Sequence, residues 1–248
     1  MLLFDLFVVA HVISGATGLV LFWVPVIARK GAHHHRKWGR LFAYSMMATG
    51  TSAIGMGLCT LIAPLPTHPE LTDVPLIRGL FGWMMLYLAV LTIGLAWHGL
   101  SVVRNKSAHS GNRHWFNVSL QVLTIVAALN CAVQGFIIGQ YLMVGVATAG
   151  LASAVIYLHF IFRDHPPRME FLMQHFQASL GAGISVYTAF LAFGAVRLFP
   201  HHAFNPAMWA VPTIVGVGLM IYWRLKHTNA WAKRGLPAGK ASSSGDLA

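Results

Sequence analysis

Charge is what this sequence has least of. Asp, Glu, Lys and Arg make up 9% of its 248 residues, and only six of them are acidic. A soluble domain carries about 25% charged residues because its surface must face water, so a soluble globule of this size is excluded. Intrinsic disorder is excluded too, because it needs low hydrophobicity and this chain is 56% hydrophobic with a mean hydropathy of +0.64. Cysteine is nearly absent, with two residues and neither CxxC nor CxxCH, which removes zinc ribbons and covalent c-type haem. The patterns GxxxxGK[ST] and GxSxG are missing, and with them the anchors of P-loop and serine-hydrolase chemistry. Strand-length alternation, the mark of a membrane barrel, is missing as well.

What is present is apolar length. A helix needs about 20 mostly apolar residues to cross the hydrocarbon core. Seven stretches qualify, at Leu2–Ala28, Leu41–Ala63, Gly79–Val103, Trp115–Ile138, Gln140–Phe162, Phe171–Leu198 and Ala207–Trp223. The expected fold is all-α, a polytopic seven-transmembrane-helix bundle over residues 1–228, with a flexible cytoplasmic tail at 229–248 rich in Gly, Ser and Ala. No Asp, Glu, Lys or Arg stands in the middle of a span. Ion-coupled transporters use such groups, or helices broken at the midplane.

The positive charges set an orientation. Lys and Arg collect in cytoplasmic loops. Arg29, Lys30, Arg36, Lys37 and Arg40 follow the first span; Arg104, Lys106 and Arg113 the third; Arg163 and Arg168 the fifth; Arg224, Lys226, Lys233, Arg234 and Lys240 the seventh. Of the seventeen, only Arg78 and Arg197 fall on the other side. The N-terminus is therefore expected outside and the C-terminus in the cytoplasm, in a bacterial cytoplasmic membrane. The net charge of +11 becomes an orientation signal, with anionic lipid at the basic loops as the expected partner and no call for nucleic acid. The first span opens with an acidic residue, Asp5, and precedes the basic cluster, the reverse of a secretory signal, so it reads as a retained helix.

Two basic loops share an order of residues. Lys30–Trp38 reads KGAHHHRKW and Lys106–Trp115 reads KSAHSGNRHW, while Arg163–Phe171 keeps only basic, His, basic, aromatic. The repetition suggests three helical hairpins plus one helix, or convergent interface chemistry. On the opposite side, the Pro64–Pro75 connection carries four prolines and reads as a stiff extended loop. Cys59 and Cys131 lie at similar depth, so they read either as a possible disulfide or as two small apolar residues.

Histidine is the unusual abundance, at fourteen. With a rise of ~1.5 Å per residue, His98, His114, His159 and His175 fall within roughly 10 Å of the cytoplasmic boundary, on four different helices. His33, His34 and His35 lie nearby in the first loop, and His11 stands apart in the outer half of the first span. At helical spacing each of the four continues a small or polar stripe: Gly94, Leu91, Tyr87 and Trp83 from His98; Val155, Ala152, Thr148, Gly145 and Tyr141 from His159; Ser179, Gly183 and Tyr187 from His175; Asn117, Gln121 and Thr124 from His114. Small and polar residues favour helix–helix contact, so these stripes are expected to face protein.

Three readings follow. One is a haem b with neutral imidazoles as axial ligands from His98, His159, His175 and His114, and Arg36 and Arg104 on the propionates. A second is a transition metal on His98, His159 and His175, including a zinc-dependent hydrolase drawing on Asp164 or Glu170. In the third, the His residues are structural caps and bridges in a non-catalytic subunit, assembly factor or transport-related protein.

The segment from His11 into the second span (HVISGATGLVLF…ARKGAHHHRKWGRLFAYSMM) resembles a bacterial family of multi-pass membrane proteins catalogued as domain of unknown function, number 2306. The residues that carry the likeness are His11, Gly15, Lys30, Gly31, His35, Arg36, Gly39 and Arg40. The resemblance implies an integral membrane protein and no particular activity. In its His-bearing helices the chain is also similar in layout to cytochrome b561-like and cytochrome-oxidase assembly proteins.

Overall fold

The computed structural model describes residues 1–194 and 206–233. Its helices are α1 (Leu2–Ile27), α2 (His33–Ile62), α3 (Pro64–Thr67), α4 (Val74–Ile77), α5 (Met85–Arg104), α6 (Trp115–Ile137), α7 (Tyr141–Phe162), α8 (Arg168–Ala189) and α9 (Pro206–Lys233). A π-helical turn, Arg78–Met84, joins α4 to α5, a second one, Phe190–Gly194, extends α8, and a 3₁₀ turn, His109–Arg113, precedes α6. No strand occurs among the described residues. Seven helical segments are long and apolar enough to cross a bilayer, so the fold is an all-α seven-helix bundle.

The bundle is built from the inside by small and polar residues and from the outside by Leu, Ile and Val. On α1 only Gly15, Gly18 and Phe22 are buried, while Leu2, Ile13, Val20 and Ile27 are exposed. Such a surface is stable only against lipid, where the driving force for association is close packing of small residues. Gly18 shows how that works: the Met46 side chain of α2 occupies the space a Cβ would need. Hydrogen bonds then join α1 to α2. Ser45 Oγ donates to the Ser14 carbonyl (2.5 Å), Thr49 Oγ1 donates to Ser14 Oγ (3.0 Å), and His11 Nδ1–H donates to the Thr49 carbonyl (3.1 Å). His11 is thus an interhelical bridge.

α5 is the central helix, in contact with α2, α6 and α8. Of the three expected hairpins, α1–α2 and α5–α6 form, and α6 also pairs with α7 across the opposite connection; Gly31 and Gly139, at φ 77° and 69°, turn the α1–α2 and α6–α7 connections, values that favour glycine. The expected third hairpin does not form. α7 packs on α6 and on the His109–Arg113 turn, whereas α8 packs on α5 and α9. The reason lies in the small face of α8. Gly99 of α5 lies so close that a Cβ there would sit 3.2 Å from Ser179 Oγ, and Gly183 accommodates the Phe22 ring of α1. Tyr187 completes that contact, donating to the Leu19 carbonyl (2.9 Å) and accepting from Trp23 Nε1–H (2.6 Å).

Other expectations need correction. α2 begins at His33 instead of Leu41, so the His triplet is helical. The proline-rich connection holds two single helical turns, α3 and α4. Proline is accepted in a first turn, where its missing N–H has no partner to lose, and Asp73 caps α4 by accepting from Leu76 N–H (3.0 Å). Cys59 and Cys131 are free thiols. α9 continues through Asn229 to Lys233. The rest of the expected tail (234–248), together with Arg197, His201 and His202, lies outside the described residues.

Candidate functional site

At the end that carries the basic loops, adjacent residues on α5 and α8 clamp each other in opposite directions. His98 Nε2 meets Gln174 Oε1 at 3.2 Å, and His175 Nδ1–H donates to the Gly99 carbonyl at 2.9 Å. The two hydrogen bonds run from neighbouring positions, 98–99 on one helix and 174–175 on the other. His98 and His175 therefore look away from each other, into two different environments.

His98 enters a closed polar chamber. It is fully buried, stacked on the Tyr157 ring of α7 (4.2 Å between centroids, 20° between planes) and edge-on to Phe160. Asn117 of α6 faces its other nitrogen. Asn117, Gln121 and Thr124, one helical face of α6, are all buried beside it. Asn112 connects this chamber to the basic end, its carbonyl accepting from Asn117 Nδ2 (2.8 Å) and its amide lying 3.3 Å from His109 Nδ1.

His175 enters the second environment, where it meets the side chain of His35. The His35 ring of α2 stands 6.2 Å from the His175 ring, centroid to centroid, with 77° between planes. Each imidazole is held in one tautomer by a main-chain carbonyl. His35 Nδ1–H donates to Pro25 (2.9 Å), as His175 Nδ1–H does to Gly99. Both rings therefore carry the lone pair on Nε2, the state in which imidazole binds metals, with the Nδ1–H···O=C bond that orients metal ligands. One ammonium group, that of Lys30, borders the pair. Lys30 Nζ donates to the Pro25 and Val26 carbonyls (2.8 and 2.6 Å) and lies 4.7 Å from the Trp223 ring of α9, over which Lys226 also stacks at 4.9 Å. Burial, and then the Lys226 charge, lower the Lys30 pKa from the usual lysine range.

The remaining expected ligands lie elsewhere. His159 is exposed and lines an open groove of about 450 Å³ with Phe162 and Arg163. Its whole stripe, Val155, Ala152, Thr148, Gly145 and Tyr141, is exposed too, contrary to the expectation that it faces protein. His114 is exposed and caps α6, accepting from Phe116 N–H at 3.3 Å. Arg36 and Arg104 are exposed. The ion pairs among the described residues are Arg113–Asp164 (2.9 Å) and Arg163–Glu170 (2.8 Å), which commit both carboxylates considered for zinc. No group of three His, Cys, Asp or Glu suited to a metal occurs among the described residues. Of the four histidines expected to converge, the structure brings only His98 and His175 to one α5–α8 contact, on opposite flanks.

His35 had a readable signal. With α2 starting at His33, the spacing His35, Gly39, Phe42, Met46 marks an inward stripe, and Phe42 and Met46 are indeed buried. His109 was also missed. It lies at the C-terminus of α7, against the carbonyls of Phe160, Ile161 and Arg163, and packs edge-on to Phe160 and Phe171. Desolvation lowers its pKa most; those carbonyls oppose the shift, and the Arg113 charge adds to it.

Comparison of the chain with protein-family models, with curated proteins and with solved structures finds no match in any of the three. The chain is thus a seven-helix membrane-type bundle whose candidate site rests on its own residues.

Proposed function

We propose that this chain is a metal-binding integral membrane protein of redox type, which holds one transition-metal centre between His35 and His175 at the cytoplasmic end. The observation that carries this reading is the paired, oriented imidazoles. A metal–imidazole bond is about 2 Å and a ring nitrogen lies about 1 Å from its ring centre, so two imidazoles on opposite sides of one metal hold their centroids about 6 Å apart. The separation here is 6.2 Å. Two neutral nitrogen donors suit a haem b iron, whose four other positions the porphyrin fills, or a bare copper, iron or zinc ion completed by small ligands. When bound, such a centre supplies one-electron redox chemistry or a Lewis acid.

The chain's own part is to fix the two tautomers through Pro25 and Gly99 and to set positive charge beside the centre through Lys30, with Lys226 next to Lys30. Those ammonium groups favour an anionic ligand, a haem propionate for a porphyrin or a small anion for a bare ion. With the N-terminus outside, the basic loops meet the anionic headgroups of a bacterial cytoplasmic membrane. Lys30 and His35 also belong to the residues that carry the likeness to the family of unknown function number 2306, whose membership is part of this proposal.

The test is metal analysis and an absorption spectrum on detergent-purified full chain. One equivalent of iron with a Soret band identifies haem, and one equivalent of copper, iron or zinc without that band identifies a bare ion. Either is lost in His35→Ala and in His175→Ala and retained in His159→Ala and His114→Ala. Purified protein without stoichiometric metal overturns the proposal and leaves the non-catalytic membrane subunit.

A further inference from the structure

The His98 chamber contains a hydrogen-bonding mismatch. His98 Nδ1, Asn117 Oδ1 and Gln121 Nε2 are all buried without a hydrogen-bond partner, on side chains that are 0%, 1% and 2% exposed. His98 Nδ1 and Asn117 Oδ1 stand side by side as two acceptors and cannot pair, and the Gln121 amide makes a hydrogen bond to neither. Gln174 Oε1 takes the Nε2 proton of His98, so Nδ1 is an acceptor. Asn117 Nδ2 donates to the Asn112 carbonyl, which fixes the amide and leaves Oδ1 as a second acceptor. Gln121 Nε2 is a donor. Two acceptors and one donor meet the needs of a molecule that gives two hydrogen bonds and receives one, and water is the smallest such molecule.

There is space beside the Gln121 amide. Gly94 lies one turn from His98 on the same face of α5. A Cβ at Gly94 would lie 3.5 Å from Thr124 Oγ1 and 3.9 Å from Gln121 Nε2, both ordinary contacts. The gap at Gly94 is therefore large enough for a methyl group, and polar atoms line it. An apolar gap stays dry, whereas a polar one with several partners holds water.

We propose that this chamber is a binding site for an ordered water molecule, which accepts from Gln121 Nε2–H and donates to His98 Nδ1 and Asn117 Oδ1. Through Asn117, Asn112 and His109 the water links a fully buried histidine to the basic end of the bundle. The site does not depend on the metal proposed between His35 and His175, since His98 faces the opposite flank of the α5–α8 contact.

The sign of one substitution tests it. Replacing glycine by alanine inside a helix is ordinarily stabilising, and the contacts at Gly94 leave room for the methyl. A methyl in a dry gap therefore raises Tm. In a water site it displaces the water and strands the Gln121 amide, so Gly94→Ala lowers Tm by several degrees in the full chain in detergent. In a Gln121→Leu background the amide is gone, and Gly94→Ala leaves Tm level or raises it. A rise or no change in the unmodified background overturns the proposal, as does an equal fall in both backgrounds. Gln121→Met supplies the same control where Gln121→Leu does not fold.

Discussion

Below their histidines, α5 and α7 carry the same kind of stripe and meet opposite surroundings. From His98, α5 runs through Gly94 and Tyr87, and these positions are buried against α6, α7 and α8. From His159, α7 runs through Val155, Ala152, Thr148 and Gly145, and every one of them is exposed. The buried face of α7 is a different one, Met143, Ala147, Gly150, Ala154 and Tyr157, and it too is rich in small residues. A stripe of small residues is thus a permit for close approach, and a helix such as α7 holds two. The one that is used depends on which offers a neighbour something to fill it. Tyr87 of α5 fits at Gly150, and nothing approaches Gly145.

The largest expected difference between the two faces of α7 lies at those two glycines. The Tyr87 hydroxyl already occupies the space of a Gly150 side chain while donating to the Val146 carbonyl (2.8 Å), and Tyr87 is fully buried. Gly150→Val is expected to cost about 3 kcal/mol through overpacking and to lower Tm clearly. Gly145→Val, on the open face, is expected to leave Tm nearly unchanged. Equal responses would show that α7 is rotated about its axis, away from burial of the Met143–Tyr157 face.

The next effect belongs to the histidines. His98→Leu leaves the Gln174 oxygen without its donor in a buried site, at a cost of about 2 kcal/mol, and also removes the stacking on Tyr157. His159→Leu replaces an exposed side chain on the lipid-facing stripe and is expected to be neutral or slightly stabilising. Thermal melts of the two variants, measured side by side, decide whether the two stripes differ as described.

The smallest effect sharpens the same contrast at the membrane boundary. His109 has its pKa lowered, chiefly by desolvation. The unfolded chain therefore binds a proton that the folded chain refuses, and stability falls as pH drops below about 6.5 towards the folded value. Asp164 shifts the opposite way in consequence: Arg113 lowers its carboxyl pKa, a contribution held above the ordinary carboxylate range and lost in stronger acid. Melts at pH 8 and pH 5.5 should show a modest fall in Tm, reduced in His109→Gln. A His114→Gln control should keep the fall, since that residue is exposed.

Much of the fold was legible. Each span had length and hydropathy enough to be seen alone, because a bilayer forces every backbone group to be satisfied within its own helix. The starts of helices were less legible. His33–Arg40 looks like a charged loop by composition, yet it is the first turns of α2, because helices continue past the hydrocarbon edge into the headgroups. That one boundary concealed His35. The proline-rich connection was misread for the opposite reason, since prolines that rule out a helix interior are welcome in a first turn.

From composition and period alone came seven spans, their orientation by charge, and a concentration of histidine at one end. These are properties of each segment against its solvent, and a segment meets lipid and water without its neighbours. The partner of each inward-facing histidine was decided by tertiary structure only. His35 with His175, His98 with Gln174 and His11 with Thr49 are separated by the phase of each helix about its axis. That phase is set by which small faces lock together, as Gly99 does with Ser179 and Gly150 with Tyr87, and the energy that sets it exists only once both helices are present.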